Sequence, residues 1–442
     1  MKKRRVIICG AAGRDYFNFL RVFKDNPAYE VVCFTAAQIP GIEKRTFPKK
    51  LAGRLYKKDI PIYPEEQLPR LIQKYDIDEV VLAYSDLAHL DVMHKASVVL
   101  AAGASFRLLG PKDTMLKSKK PVIAICAVRT GAGKSQTSRR VADILKEQGW
   151  NVVAIRHPMP YGMLMKQVVE RFASRKDLKK YHTTIEEREE YEPWIERGIP
   201  IYAGVDYTQI LKEAEQEADV IIWDGGNNDF SFYKPDLLIV VADPLRPNHE
   251  RLYYPGETNV RMADVVVINK VNSAQKQQVN TVIANIKVMN QKATIIKAAS
   301  RITVDHPEFI IHQRVLLVED GPTITHGGMR FGAATVAAHR YHAKEIVYAK
   351  PYAVGSLKKT FEQYQHLKRE LPAMGYSKQQ IKDLQTTINR VPCDVVIDGS
   401  PVNLNKIIKV NKPIVNVTYE LEEIGKPTLE DVLKRFVNKT RK

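Results

Sequence analysis

The stretch Val122-Ile-Ala-Ile-Cys-Ala-Val-Arg-Thr-Gly-Ala-Gly-Lys-Ser135 leaves this chain few folds to choose from. A short apolar run passes through a glycine turn to Lys134 and Ser135, and the sequence from Gln136 to Gln148 continues as a helix that Gly149 closes. Strand, glycine loop and helix in this order build a phosphate cradle. Glycines let backbone N–H groups approach phosphate oxygens, and the helix N-terminus adds a favourable dipole. Gly131, Ala132, Gly133, Lys134, Ser135 and Gln136 are the expected nucleotide contacts. Lys134 would reach the outer phosphates, and the Ser135 hydroxyl would ligate Mg²⁺.

A strand ending on a carboxylate, Asp219-Val-Ile-Ile-Trp-Asp224-Gly-Gly-Asn-Asn-Asp229, follows about ninety residues later. Asp224 is placed to hold the Mg²⁺ shell, and the glycines after it let the backbone swing toward a γ-phosphate. The loop itself departs from G-x-x-x-x-G-K-[ST], because Val128 stands where the first glycine belongs. Arg129-Thr-Gly-Ala-Gly-Lys-Ser135 is similar instead to the K-G-G-x-G-K-[ST] loop of the signature-lysine P-loop class. Arg129 occupies the place of that class's extra lysine and is expected to neutralise charge during catalysis. Arg156 and His157, at the carboxyl end of the strand Asn151–Ile155, are candidate contacts to an anionic substrate. The proline-rich turn Pro158–Gly162 follows them. The acidic island Thr183–Glu192 is either a solvated helix face or a source of Mg²⁺ ligands.

Asp264-Val-Val-Val-Ile-Asn-Lys-Val-Asn272 resembles the N-K-x-D base-recognition motif, which makes Asn269 and Lys270 nucleotide-binding candidates. Its last position is Asn272 rather than the aspartate that accepts two bonds from guanine, so ATP and GTP both stay open. Further on, Val318-Glu-Asp-Gly-Pro-Thr-Ile-Thr-His-Gly-Gly328 gathers ionisable and hydroxyl groups on a glycine frame. His326 is a candidate acid or base there, and Thr325 and Gly327 are candidate substrate contacts. Glu319, Asp320 and Thr323 extend the cluster.

Strands alternating with helices imply an α/β fold with parallel sheets. The expected divisions are a Rossmann-like N-terminal domain over 1–112, a P-loop NTPase domain over 120–312, and a C-terminal α/β extension over 313–442 packed on it. In the first, Gly10-Ala-Ala-Gly13 is a weak glycine turn beside Arg14 and Asp15. The end from Lys434 onward reads as frayed. At 442 residues the chain exceeds one average core.

The net charge of +18 needs a partner or an explanation, and residues 1–58 hold fourteen Lys/Arg against four Asp/Glu. Aromatic interleaving of the single-strand-binding type is missing, so phosphate-rich small anions are favoured over nucleic acid. No apolar run reaches the roughly 18 residues a membrane helix needs. The four scattered cysteines read as reduced core residues of a cytoplasmic protein that could form a homo-oligomer.

These motifs, together with Gly10-Ala-Ala-Gly-Arg-Asp15 and Cys393-Asp-Val-Val-Ile-Asp-Gly-Ser-Pro401, resemble the cyclic 2,3-diphosphoglycerate synthetase family and its predicted-GTPase relatives. The resemblance covers nearly the whole chain. It implies a Rossmann-like domain joined to a P-loop domain, and ATP-driven closure of a small phosphorylated acid into an internal phosphoanhydride. A regulatory or chaperone GTPase that switches a protein partner is the alternative.

Overall fold

The computed structural model describes residues 2–37, 45–157, 164–226, 229–374, 377–401 and 403–440. Its N-terminal part is a six-stranded sheet in the order Thr46–Phe47, Ile60–Pro64, Tyr29–Ala36, Arg4–Cys9, Glu79–Leu82, Ser105–Leu108. All pairings are parallel except the outermost, Thr46–Phe47 on Ile60–Pro64. One face packs Phe19, Phe23, Phe34 and Phe47, and the other packs Ile7, Leu71, Val80 and Val99. Ile60–Pro64 pairs with Tyr29–Ala36 on one side and Thr46–Phe47 on the other. Its two prolines confine it to a position near the sheet edge.

The P-loop strand Val122–Ala127 lies inside a second, thirteen-stranded sheet, between Val220–Trp223 and Leu237–Ala242. Parallel strands buried on both faces read as continuous apolar runs, and VIAICA is buried at every position. The sheet continues past the boundary expected for the nucleotide domain. Thr294–Val304 pairs in parallel with Val265–Ile268 on one side and antiparallel with Ile414–Ile424 on the other. Beyond it run Val395–Gly399 and Arg314–Asp320. The C-terminal region is thus also joined to the nucleotide domain strand to strand.

The final helix, Leu429–Thr440, returns to the nucleotide domain. Leu429, Val432, Leu433, Phe436 and Val437 share a core with Val141 and Leu145 of the P-loop helix Lys134–Glu147. This corrects the expectation of a frayed end. The apolar residues recur at helical spacing, and the lysines sit on the outer face. Gly355–Gln363 is helical, and Glu370–Ala373 is a strand beside Arg314–Asp320.

Ring stacking and strand pairing both hold the N-terminal domain on the nucleotide domain. Phe17 stacks on Phe232, with ring centroids 4.0 Å apart, inside the cluster holding Tyr207 and Trp223. A short antiparallel ladder pairs Leu87–Ala88 with Tyr253–Tyr254.

Candidate active site

Three successive carbonyls of the glycine loop are held from outside. Arg246 donates to Thr130 O at 2.8 Å, Lys270 Nζ to Gly131 O at 2.5 Å, and Asn269 Nδ2 to Ala132 O at 3.0 Å. Fixing carbonyls on one side of a glycine turn leaves the N–H groups to face the other, which is the polarity an anion requires. Gly131 and Gly133 have φ of 77° and 111°. A Cβ on Gly133 would lie 2.0 Å from Asn269 Nδ2, so only glycine fits there. Behind the loop, buried Asp243 takes Arg246 at 2.8 Å and Lys270 at 3.1 Å, which fixes both cations. Asn269 and Lys270 therefore act on the loop backbone. Asn272 is occupied elsewhere, since its amide donates to Ser300 O at 3.2 Å and accepts from Ser300 N at 3.1 Å.

Lys134 forms an ion pair with Asp224, the carboxylate that ends Val220–Trp223. Asp224 also accepts from Ser138 Oγ at 2.9 Å and pairs with Arg156 at 3.1 Å. Burial alone would raise the Asp224 pKa. The adjacent Lys134 and Arg156 outweigh burial and bring it down to about 2. The same burial lowers the Lys134 pKa against the pull of Asp224. Arg156 reaches in the other direction to Glu190, at 2.5 Å, on the helix Ile185–Glu196. The acidic island thus enters the site through an arginine. Ser138, one helical turn beyond Ser135, has no place in the motif pattern and escapes sequence reading.

Arg129 is buried and turned away from the glycine turn. Its Nε pairs with Asp86 at 2.6 Å, its Nη1 meets His249 Nδ1 at 2.8 Å, and its guanidinium carbon lies 3.7 Å from the centre of the Tyr253 ring. Nη2 donates to the His326 carbonyl at 3.1 Å. One side chain therefore ties the N-terminal domain, the nucleotide loop and the C-terminal region together. Burial, then the neighbouring Arg129 and Arg246, lower the His249 pKa to about 4, so the imidazole is neutral near pH 7.

The polar cluster of the C-terminal region reaches the glycine loop through Thr323, whose methyl would lie 2.7 Å from a Cβ on Gly131. Thr325 closes its own turn by donating to Gly321 O at 2.6 Å, and Gly327 O accepts from Arg246. The His326 ring is exposed, with Thr325 Oγ1 3.5 Å away. Glu319 serves the fold instead of chemistry, accepting the N–H groups of Gly332, Ala334 and Thr335 at the start of Ala333–Arg340. His157 packs its ring on Gly13 of the N-terminal domain and lies 3.1 Å from Asp229. Pro158–Gly162 and Asn227–Asn228 lie outside the described residues.

The residues present fit a nucleotide with Mg²⁺. The cradle excludes a side chain at Gly133, Lys134 stands at the start of the P-loop helix, and an ionised carboxylate closes the neighbouring strand. Fold and site together define a P-loop α/β protein whose glycine loop is shaped to hold a nucleotide. No protein-family model matches the chain. It is 60% identical over 441 residues to "Arginine synthetase ArcE" of Thermococcus kodakarensis, an alignment that covers 100% of this chain and 98% of that one. The chain belongs to the family of that arginine synthetase.

Among solved structures, LpxK of Aquifex aeolicus in complex with ATP is similar at 13% identity and a TM-score of 0.45, over 73% of this chain and 90% of that one. The hydrogenase maturation factor HypB of Archaeoglobus fulgidus is similar at 17% identity and a TM-score of 0.27, over 41% and 81%. The family assignment rests on the sequence relative alone. Among the described residues, no helix is long and apolar enough to cross a membrane.

Proposed function

We propose that this protein is an ATP- and Mg²⁺-dependent synthetase that forms arginine. The observation carrying the reading is the full-length, 60% identity to an arginine synthetase. The nucleotide cradle supplies the chemistry such a synthesis needs. Building a guanidinium group requires an oxygen on the side-chain carbon to be made into a leaving group. In the first step the ureido oxygen of a citrulline-like acid attacks the γ-phosphorus, and ADP leaves. In the second, the lone pair of ammonia, the amine that leaves the guanidinium unsubstituted, attacks the activated carbon. Phosphate departs with the former ureido oxygen, and the amine gives up a proton.

Lys134 neutralises the phosphoryl oxygens once it leaves Asp224, and the N–H groups of the glycine loop hold the β-phosphate side. Ser135 and Asp224 would hold Mg²⁺, which supplies further charge neutralisation on the phosphates. Asn272, with both ends of its amide on Ser300, offers no carboxylate to guanine, which favours ATP over GTP and weighs against a switch GTPase.

The cyclic 2,3-diphosphoglycerate synthetases share this two-stage logic of phosphorylation followed by displacement. A substrate with two phosphates needs free cations, however, and Arg129 and Arg156 are held by Asp86, Asp224 and Glu190. A substrate of lower charge suits this site better. The test incubates the protein with L-citrulline, ammonium and Mg-ATP. Arginine and ADP should form one for one, with ¹⁸O from a labelled ureido group appearing in phosphate. ADP release without arginine, or label retained in the amino acid, would sink the reading.

A further inference from the structure

Outside the nucleotide cradle, buried polar atoms without hydrogen bonds gather where the N-terminal domain meets the nucleotide domain. They are Arg14 Nη1, Asp15 Oδ1, both amide atoms of Asn18, His157 Nε2 and Asp229 Oδ1. Arg14, Asp15, Asn18 and Asp229 are between 1% and 5% exposed. A buried unsatisfied group is costly, and folded proteins hold few of them. A concentration at one junction points to a ligand that completes the bonds.

The groups are drawn together from two domains. Arg14, Asp15 and Asn18 lie on one turn of the chain after Arg4–Cys9, at the carboxyl end of the N-terminal sheet, where ligands of open α/β folds bind. Gly10 permits the arrangement, because a Cβ there would lie 1.7 Å from Asp15 Oδ1. From the other side come His157, next in sequence to the Asp224-bound Arg156, and Asp229, at the end of the loop that begins at Asp224. Arg14 Nη1 is 3.8 Å from Asp229 Oδ1, too far for a hydrogen bond, and His157 Nε2 is 3.1 Å from Asp229 Oδ2 without one. The arginine is otherwise held by the Phe230 ring, 4.4 Å away.

Charge decides what fits. A phosphate would meet two carboxylates, and a simple cation would meet an arginine. A zwitterion satisfies both signs at once. We propose that this junction is the amino-acid half of the active site, with Arg14 and His157 receiving the α-carboxylate and Asp15, Asp229 and the Asn18 amide receiving the α-ammonium. Its position beside Asp224 lets the side chain of the bound acid run toward the phosphates. The assignment deepens the arginine-synthetase reading and rests on it.

The test has two arms on the full chain. In the first, wild-type protein is titrated calorimetrically with L-arginine, agmatine (no carboxylate) and Nα-acetyl-L-arginine (no ammonium). Each analogue should bind at least about tenfold more weakly than L-arginine, since one half of the clamp is left unpaired. In the second, Asp229→Asn and Arg14→Lys should raise the KM for L-citrulline at least about tenfold while leaving the KM for ATP within about twofold. Analogues that bind as tightly as L-arginine overturn the assignment even if the variants fail to fold. Unchanged citrulline KM in an active variant also overturns it, while arginine formation by the wild type would keep the synthetase reading standing. If the wild type neither binds nor makes arginine, the functional reading falls and the assignment falls with it.

Discussion

Replacing Asp224 by asparagine keeps the shape of the side chain and removes the one charge on which Lys134 and Arg156 converge. The interactions hold its pKa at about 2 against an ordinary 3.8. That difference corresponds to about 2 kcal/mol of folding free energy in favour of the ionised form. The neutral amide also leaves Lys134 without an anion and Arg156 with Glu190 alone. Breaking a buried pair on one side costs about 3–5 kcal/mol, which sets the upper bracket.

The sign of the pH dependence follows from the direction of the shift. A folded value below the unfolded one stabilises fully above about pH 5, and the gain is lost as pH falls through about 2. The difference between wild type and Asp224→Asn should therefore be constant from about pH 5 to 8 and shrink to about half by about pH 3. The assay is denaturant unfolding followed by tryptophan fluorescence. Trp150, Trp194 and Trp223 are the three tryptophans of the chain, and all lie in the nucleotide-binding region, so the signal reports this domain. An Asp224→Asn midpoint equal to wild type near neutral pH, or a gap as wide in acid as at neutrality, would refute the argument.

Lys134→Ala should abolish ATP turnover while the far-UV circular dichroism stays that of the wild type; residual turnover would remove Lys134 from the mechanism. Gly133→Ala combines a φ of 111° with a Cβ 2.0 Å from Asn269 Nδ2, so nucleotide affinity measured by fluorescence titration should fall at least about tenfold. Asp15 carries a burial penalty that raises its pKa to about 7, so wild-type stability falls as pH rises from about 4 to 7. Asp15→Asn escapes that loss and should be the more stable protein at about pH 8, by on the order of 4 kcal/mol in denaturant unfolding, while binding L-arginine less well. A variant equal to wild type under those conditions would contradict the burial argument.

The parts of the site legible in the sequence are those written in neighbouring residues. Strand, glycine turn and helix are consecutive from Val122 to Glu147, and the carboxylate of Asp224 follows an unbroken apolar strand. Contacts across long sequence separations leave no local mark. Nothing near Arg156 announces Glu190, and nothing near Arg129 announces Asp86, because each partner is delivered by folding. Glu319 shows the converse error. A buried carboxylate in a glycine-rich segment reads as chemistry, but it satisfies the first N–H groups of a helix that begins fourteen residues later. Ile60–Pro64 is hidden by its prolines, and Leu429–Thr440 by its lysines, although the apolar spacing of the latter is plain.

Thr294–Val304 has eleven residues, eight of them paired with Ile414–Ile424. A nucleotide domain ending at residue 312 would carry that strand with its outer row of N–H and C=O groups bare. Long unpaired margins of this kind recruit other chains, so such a truncation should associate with itself rather than remain a small working NTPase. The C-terminal region thus acts as a guard on the growing margin of the sheet. It also sets an order on assembly. The nucleotide domain is complete only once both Ile414–Ile424 and the helix Leu429–Thr440 have been made.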